Sequence, residues 1–233
     1  MKPGAVNTGA ASPQCRLVLL DLDGTLADSG PDLAHALNAV RAEEGLPALP
    51  YARIRPQVSH GARALIRLGF GGRETEPDFE RRRQRLLNVY REKLCVHTKL
   101  FPGMAEVLDG IERLGIRWGV VTNKPAWLTG PLLAALRLDK RVACVVSGDT
   151  VAPRKPHPNP LLHAADTAGV EPAQCVYVGD AERDVQAGRA AGMHTLVAAF
   201  GYLGADDNPR AWGADAIIDQ PAGILAWLNG GKC

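Results

Sequence analysis

The chain has 233 residues, 46% hydrophobic and 22% charged, with a formal net charge of +2. That length buries one good core, or a core with a smaller insert, and the composition is ordinary for a soluble globular protein. The charge excludes a general pull toward nucleic acid, no apolar run approaches the ~20 residues of a membrane helix, and no charged-then-apolar leader opens the chain, so a cytoplasmic location is expected.

Residues 1–14 are small, polar and rich in Pro and Gly, and are expected to form a disordered tail. Leu17-Val18-Leu19-Leu20 is an apolar run short enough for a buried strand. Asp21-Leu22-Asp23-Gly24-Thr25 follows at once, where the chain leaves the sheet. Gly24 permits a sharp turn there. Open parallel sheets bind ligands at that edge. Two carboxylates so close repel, and a divalent cation held by oxygen ligands relieves the repulsion.

From residue 31 to 99 the helical apolar period dominates. Pro31 and Asp32 suit a helix start before Leu33, Leu37 and Val40, and Gly45 suits its end. Further helices are expected over 51–69 and 77–95. Within the second, Arg81-Arg82-Arg83-Gln84-Arg85 falls largely opposite the stripe of Phe79, Leu86, Tyr90 and Leu94, on a solvated face. After Phe101 helices alternate with short apolar runs at Trp118–Thr122, Val142–Ser147, Cys175–Gly179, Thr195–Ala199 and Ala216–Ile218. Such alternation predicts an α/β fold, a doubly wound, Rossmann-like parallel sheet covered on both faces. Residues 15–30 and 100–233 then form the core, and 31–99 an inserted helical cap that hangs over the active edge and can serve as a lid. Cys15, Cys95, Cys144, Cys175 and Cys233 show neither CxxC nor Cys/His spacing and are expected to be reduced, with Cys144 and Cys175 in strand-like core runs.

Other polar signals fall where later strands end. Thr122, Asn123 and Lys124 follow one apolar run, with Lys124 either bordering a pocket or facing solvent. Lys155-Pro156-His157-Pro158 precedes a helix, and His157 is expected to shape the turn around Lys155. Gly179-Asp180-Ala181-Glu182-Arg183-Asp184 closes another run with a second acidic turn.

On these motifs, from residue 16 to the end, the chain resembles the haloacid dehalogenase-like phosphatase superfamily, specifically phosphoglycolate phosphatases and their relatives. The resemblance implies that Asp21 is the nucleophile and Asp23 the general acid/base, that Thr122 bonds the phosphoryl group, and that Lys155 neutralises it. It implies Mg2+ as cofactor, with Asp21, Asp23 and Asp180 as candidate metal ligands and Asp184 as a further acid close by. The partner implied is a small phosphomonoester, without nucleic acid or membrane, for a monomer or homodimer. The chemistry agrees: a carboxylate nucleophile splits the hydrolysis into two steps through an aspartyl-phosphate, and charge compensation comes from cation and lysine. A proton donor such as Asp23 suits a departing alkoxide and so favours ester cleavage over dehalogenation.

Val58-Ser59-His60-Gly61-Ala62-Arg63 reads as the specificity loop, with Gly61 allowing close approach and His60 and Arg63 meeting a substrate carboxylate or hydroxyl; Asn123 borders the same pocket. The stretches around DGTLADSGPDL and KPHPNPLL look like phosphoglycolate phosphatase. VHTKLFPGM and DNPRAWGAD are similar to N-acetylmuramic acid 6-phosphate phosphatases of peptidoglycan recycling. Both substrates stay open, as do other sugar phosphates and a phosphomutase of the β-phosphoglucomutase kind. A phospho-accepting signalling module fits worse, because receiver domains carry the acceptor on a later strand and lack so long a helical insert.

Overall fold

The computed structural model describes residues 15–231, so the expected disordered tail over 1–14 lies outside the described residues. In chain order, β1 (Leu17–Leu20) and β2 (Ala27–Asp28) lead into helices α1 (Gly30–Glu43), α2 (Tyr51–Ile54), α3 (Gly61–Phe70) and α4 (Pro77–Glu92). The chain returns through β3 (Lys99–Leu100) and continues as α5 (Met104–Arg113), β4 (Arg117–Val121), α6 (Ala126–Ala135), β5 (Val145–Val146) and α7 (Asn159–Ala168). It closes with β6 (Cys175–Gly179), α8 (Glu182–Ala190), β7 (His194–Ala198), β8 (Ala216–Ile218) and α9 (Ala222–Asn229).

Six strands form one sheet in the order β5-β4-β1-β6-β7-β8, and every neighbouring pair is parallel. β1 lies near the centre, and all its side chains are buried because both faces are covered. Leu17 and Leu19 pack on one face with Leu161, Ala165 and Ala187 of α7 and α8. Val18 and Leu20 pack on the other with Leu108, Ile111 and Ile224 of α5 and α9. This is the near-continuous apolar strand of a doubly wound sheet, in which alternate residues serve opposite layers. Cys144 and Cys175 are buried in the same interior. Parallel register sets Leu20 level with Val120 and Val178. The residues just beyond, Asp21, Thr122 and Asp180, therefore emerge together at the carboxyl edge.

The helices α1, α3 and α4 pack on one another, and their apolar residues Leu37, Leu65, Phe79 and Tyr90 run continuously into the sheet's core. The helix expected over 51–69 is broken. Pro56, which lacks an N–H, sits in a 3₁₀ turn over Arg55–Gln57, and Gly61 at φ +78° restarts the chain as α3. The expected strand at 142–147 is shortened to Val145–Val146. A ribbon absent from the sequence reading joins the helices to the sheet: β2 pairs antiparallel with β3 through Ala27↔Leu100 and Asp28↔Lys99. Two side chains fasten it. The buried Asp32 carboxylate accepts bonds from His97 N (3.0 Å), Thr98 N (2.9 Å) and Thr98 Oγ1 (2.7 Å). The Tyr202 hydroxyl donates to Asp28 Oδ1 (2.6 Å) and accepts from Gly30 N (2.7 Å). Among the described residues no helix is long and apolar enough to cross a membrane.

Candidate active site

At the carboxyl edge of the sheet the side chains of Asp21, Asp180 and Asp184 are buried, and one oxygen of each lies within 4.8 Å of the others. Asp21 leaves β1, while Asp180 and Asp184 flank the start of α8. Gly24, at φ +91°, makes this turn possible, since a Cβ there would stand 2.1 Å from Asp180 Oδ2. Lys155 is the counter-ion. Its fully buried Nζ lies 3.2 Å from Asp21 Oδ1 and 2.8 Å from Asp184 Oδ1, and it also donates to Val121 O (3.0 Å) and the Tyr177 hydroxyl (2.6 Å).

These surroundings move the carboxyl groups apart. Burial raises Asp21 above its usual range, with Lys155 opposing. Asp180 is pushed up to about 7, by burial first and then by the charges of Asp21 and Asp184. Burial acts on Asp184 too, but Lys155 and Arg183 outweigh it and hold that group below its usual range. Three acids sharing so little space carry more negative charge than the adjacent lysine alone offsets. The donor set is all hard oxygen, which suits a small divalent cation such as magnesium.

Asp23 is placed differently from the other acids. Its carboxylate accepts both 2.9 Å and 3.0 Å bonds from Lys124 Nζ, and one of 2.5 Å from Ser29 Oγ. Its side chain is therefore outside the acid cluster, although Asp23 was a candidate metal ligand, whereas Asp184, expected as a further acid close by, stands in the cluster with Asp21 and Asp180. Lys124 does not face solvent: it is buried, held by Asp23, and lies 4.5 Å from the ring centroid of Tyr90. Burial works against its charge, but Asp23 and Tyr90 raise its pKa overall.

A cavity of about 540 Å³ opens between the sheet edge and the helices, lined among others by Asp21, Asp23, Thr122, Asn123 and Lys155. His60, Gly61 and Arg63 line it from the opposite side. Gly61 is needed for its positive φ and not for close approach, since nothing lies within 4 Å of a Cβ built there. His60 is exposed at the cavity's edge, and its partial desolvation followed by the charge of Arg183 lowers its pKa. Arg63 borders the cavity with its guanidinium committed to Glu74 (2.7 Å). Arg83 departs from the solvated face expected for the basic run and lines the cavity while bonded to Glu80. His157 shapes its turn by accepting from Asn159 N (3.2 Å).

The sequence profile of the haloacid dehalogenase-like hydrolases matches residues 18–198. The chain belongs to that family. It is 45% identical over 212 residues to a phosphoglycolate phosphatase of Xanthomonas campestris, covering 88% of this chain and 93% of that one. It is 41% identical over 218 residues to an N-acetylmuramic acid 6-phosphate phosphatase of Pseudomonas putida, with 94% and 98% covered. A crystal structure described as a predicted phosphoglycolate phosphatase from Haemophilus somnus superposes with a TM-score of 0.82 at 30% identity, covering 91% and 97% of the two chains.

In this haloacid dehalogenase-like hydrolase the contacts between helices and sheet meet at the site itself. Ser59 Oγ donates to Asp180 Oδ2 (2.5 Å), and Arg183 bonds the Ser59 carbonyl. Ser59, Tyr90 and Arg183 were not singled out from the sequence as site residues. Ser59 lay inside the loop read for specificity, and Arg183 inside the second acidic turn, so position alone pointed toward those two. Nothing local marks Tyr90, which reads as one more apolar residue of an amphipathic stripe.

Proposed function

We propose that the chain is a magnesium-dependent phosphatase of small phosphomonoesters that works through a phosphorylated Asp21. The single observation carrying this reading is the buried trio of Asp21, Asp180 and Asp184 with Lys155 paired to Asp21 and Asp184, Asp21 and Lys155 lining the cavity. Asp21 Oδ attacks phosphorus while the bond to the leaving oxygen breaks, and Asp23 gives that oxygen its proton. Asp23 then takes a proton from water, whose oxygen attacks the aspartyl-phosphate and returns Asp21 as a carboxylate. Thr122 and Lys155 bind the phosphoryl oxygens, and Lys155 offsets their charge. Magnesium, held by Asp21 and Asp180 with Asp184 near it, supplies the remaining positive charge at the transferring group. The helices of residues 31–99 serve as a cap that excludes water and selects the ester.

Both substrates named for the relatives, 2-phosphoglycolate and N-acetylmuramate 6-phosphate, fit this reaction, and both act in the cytoplasm of a bacterium in this reading. Phosphate release by Asp21→Asn and Asp23→Asn variants tests the assignment. Asp21→Asn is expected to abolish turnover, and Asp23→Asn to lower kcat by ~10²–10⁴-fold, the range of a lost general acid/base. Near-normal turnover by either variant defeats the mechanism.

A further inference from the structure

Among the described residues, Asn123 Oδ1 and Trp227 Nε1 are buried without a hydrogen-bond partner, and the buried Tyr90 hydroxyl has no acceptor for its proton, its one polar neighbour being the Lys124 ammonium, which can only donate. Tyr90 and Asn123 both line the cavity, one from the helices and the other from the sheet edge. A buried hydroxyl or amide oxygen left unpaired costs about 1–3 kcal/mol, so such atoms are rare unless something else completes them. The unpaired end of Asn123 is fixed by its other end. Nδ2 donates to Lys155 O (3.0 Å), which leaves Oδ1 as an acceptor. Tyr90 is fully buried on α4 and stands beside Lys124, whose Nζ holds both oxygens of Asp23. Burial pushes the phenol up to about 12, so it stays a neutral O–H at physiological pH. The site therefore offers one unused donor and one unused acceptor.

A ligand that completes both must itself accept and donate. Fully ionised 2-phosphoglycolate has acceptors in abundance and no donor hydrogen, whereas a sugar hydroxyl does both. The size of the cavity points the same way. About 540 Å³ suits a ligand several times larger than a two-carbon phosphate. Resting on the phosphatase reading, we infer that Tyr90 and Asn123 are substrate-binding residues for hydroxyl groups, and that the ester cleaved is a sugar phosphate and not 2-phosphoglycolate.

The test compares the full-length protein with Tyr90→Phe on N-acetylmuramate 6-phosphate, 2-phosphoglycolate and p-nitrophenyl phosphate, together with the melting temperature of each protein. The unsubstituted protein is expected to show kcat/KM at least about tenfold higher for the sugar phosphate than for 2-phosphoglycolate. In Tyr90→Phe the ratio of kcat/KM for the sugar phosphate to that for p-nitrophenyl phosphate is expected to fall about tenfold, mainly through KM, from one lost hydrogen bond. Its melting temperature is expected to change by only a few degrees, because the hydroxyl gives up no more than its contact with Lys124. An unchanged ratio or a preference for 2-phosphoglycolate each overturns the inference. Absence of any turnover by the unsubstituted protein defeats the phosphatase reading itself, and this inference with it.

Discussion

Replacing Lys155 by methionine keeps the unbranched stem, one atom shorter, and removes the charge from a fully buried position. The lysine Nζ lies 2.8 Å from Asp184 and 3.2 Å from Asp21, and at an effective dielectric constant of ~20 these contacts correspond to ~6 and ~5 kcal/mol of attraction before desolvation is set against them. Burying an ammonium group consumes much of that gain. Removing one partner of such a cluster nevertheless leaves buried negative charge uncompensated, at a cost of about 3–5 kcal/mol. For a chain of this size that lowers the melting temperature by roughly 6–20 °C.

The dependence on pH separates this account from a simple packing defect. Lys155 and Arg183 together hold Asp184 below its usual range against the effect of burial. A depressed carboxylate contributes stability above its unfolded pKa and loses that contribution as pH falls through its folded pKa. Without Lys155, burial raises Asp184 and further raises Asp21 in the folded variant, so protonation of these carboxyls relieves the deficit as pH falls, and it should be greatest near pH 7.5 and smaller at pH 5. Thermal unfolding in the presence of a chelator at the two pH values measures it. A deficit below about 1 kcal/mol at pH 7.5, or one that grows on acidification, would refute the reasoning. Phosphate release should fall in the same variant, since Lys155 also faces the cavity.

Asp180, pushed up to about 7, carries the opposite sign: in chelator, stability should fall as pH rises from about 4 through about 7, because the buried group must then ionise. Asp180→Asn is expected to flatten that slope in a calorimetric scan; the unsubstituted protein is expected to gain melting temperature on adding magnesium at pH 8, and Asp180→Asn to lack that gain. Asp32→Ala strips the acceptor from His97 N, Thr98 N and Thr98 Oγ1, so urea unfolding should report a loss of at least about 3 kcal/mol, with specific activity retained below the transition.

The parallel sheet could be read from the sequence because its strands are buried on both faces. Leu17–Leu20 and Cys175–Gly179 are continuous apolar runs bounded by turns, which is the pattern such burial demands. The two-residue ribbon of β2 and β3 left no trace, because Ala27–Asp28 and Lys99–Leu100 are too short to show any period. Their pairing follows from where the helices return the chain, a tertiary fact. The break in the helix expected over 51–69 was marked in the sequence by Pro56 and Gly61, and the apolar period simply runs across it.

The same division holds within the site. Asp21, Thr122, Lys155 and Asp180 were legible because each sits where a strand ends or soon after, and a sheet brings its strand ends together whatever the loops do. The fate of Asp23 was not legible. It lies two residues from Asp21, yet the turn at Gly24 sends its carboxylate toward Lys124, a partner 101 positions away. Lys124 in turn reads equally as bordering the pocket or as facing solvent, because nothing near it in sequence announces Tyr90, which reaches it from the helices. A local motif fixes which groups reach the sheet edge. Which of them pair there is decided by segments that meet only when the helices cover that edge, so the pairing of Asp23 with Lys124 and the approach of Tyr90 are the parts that only the folded chain reveals.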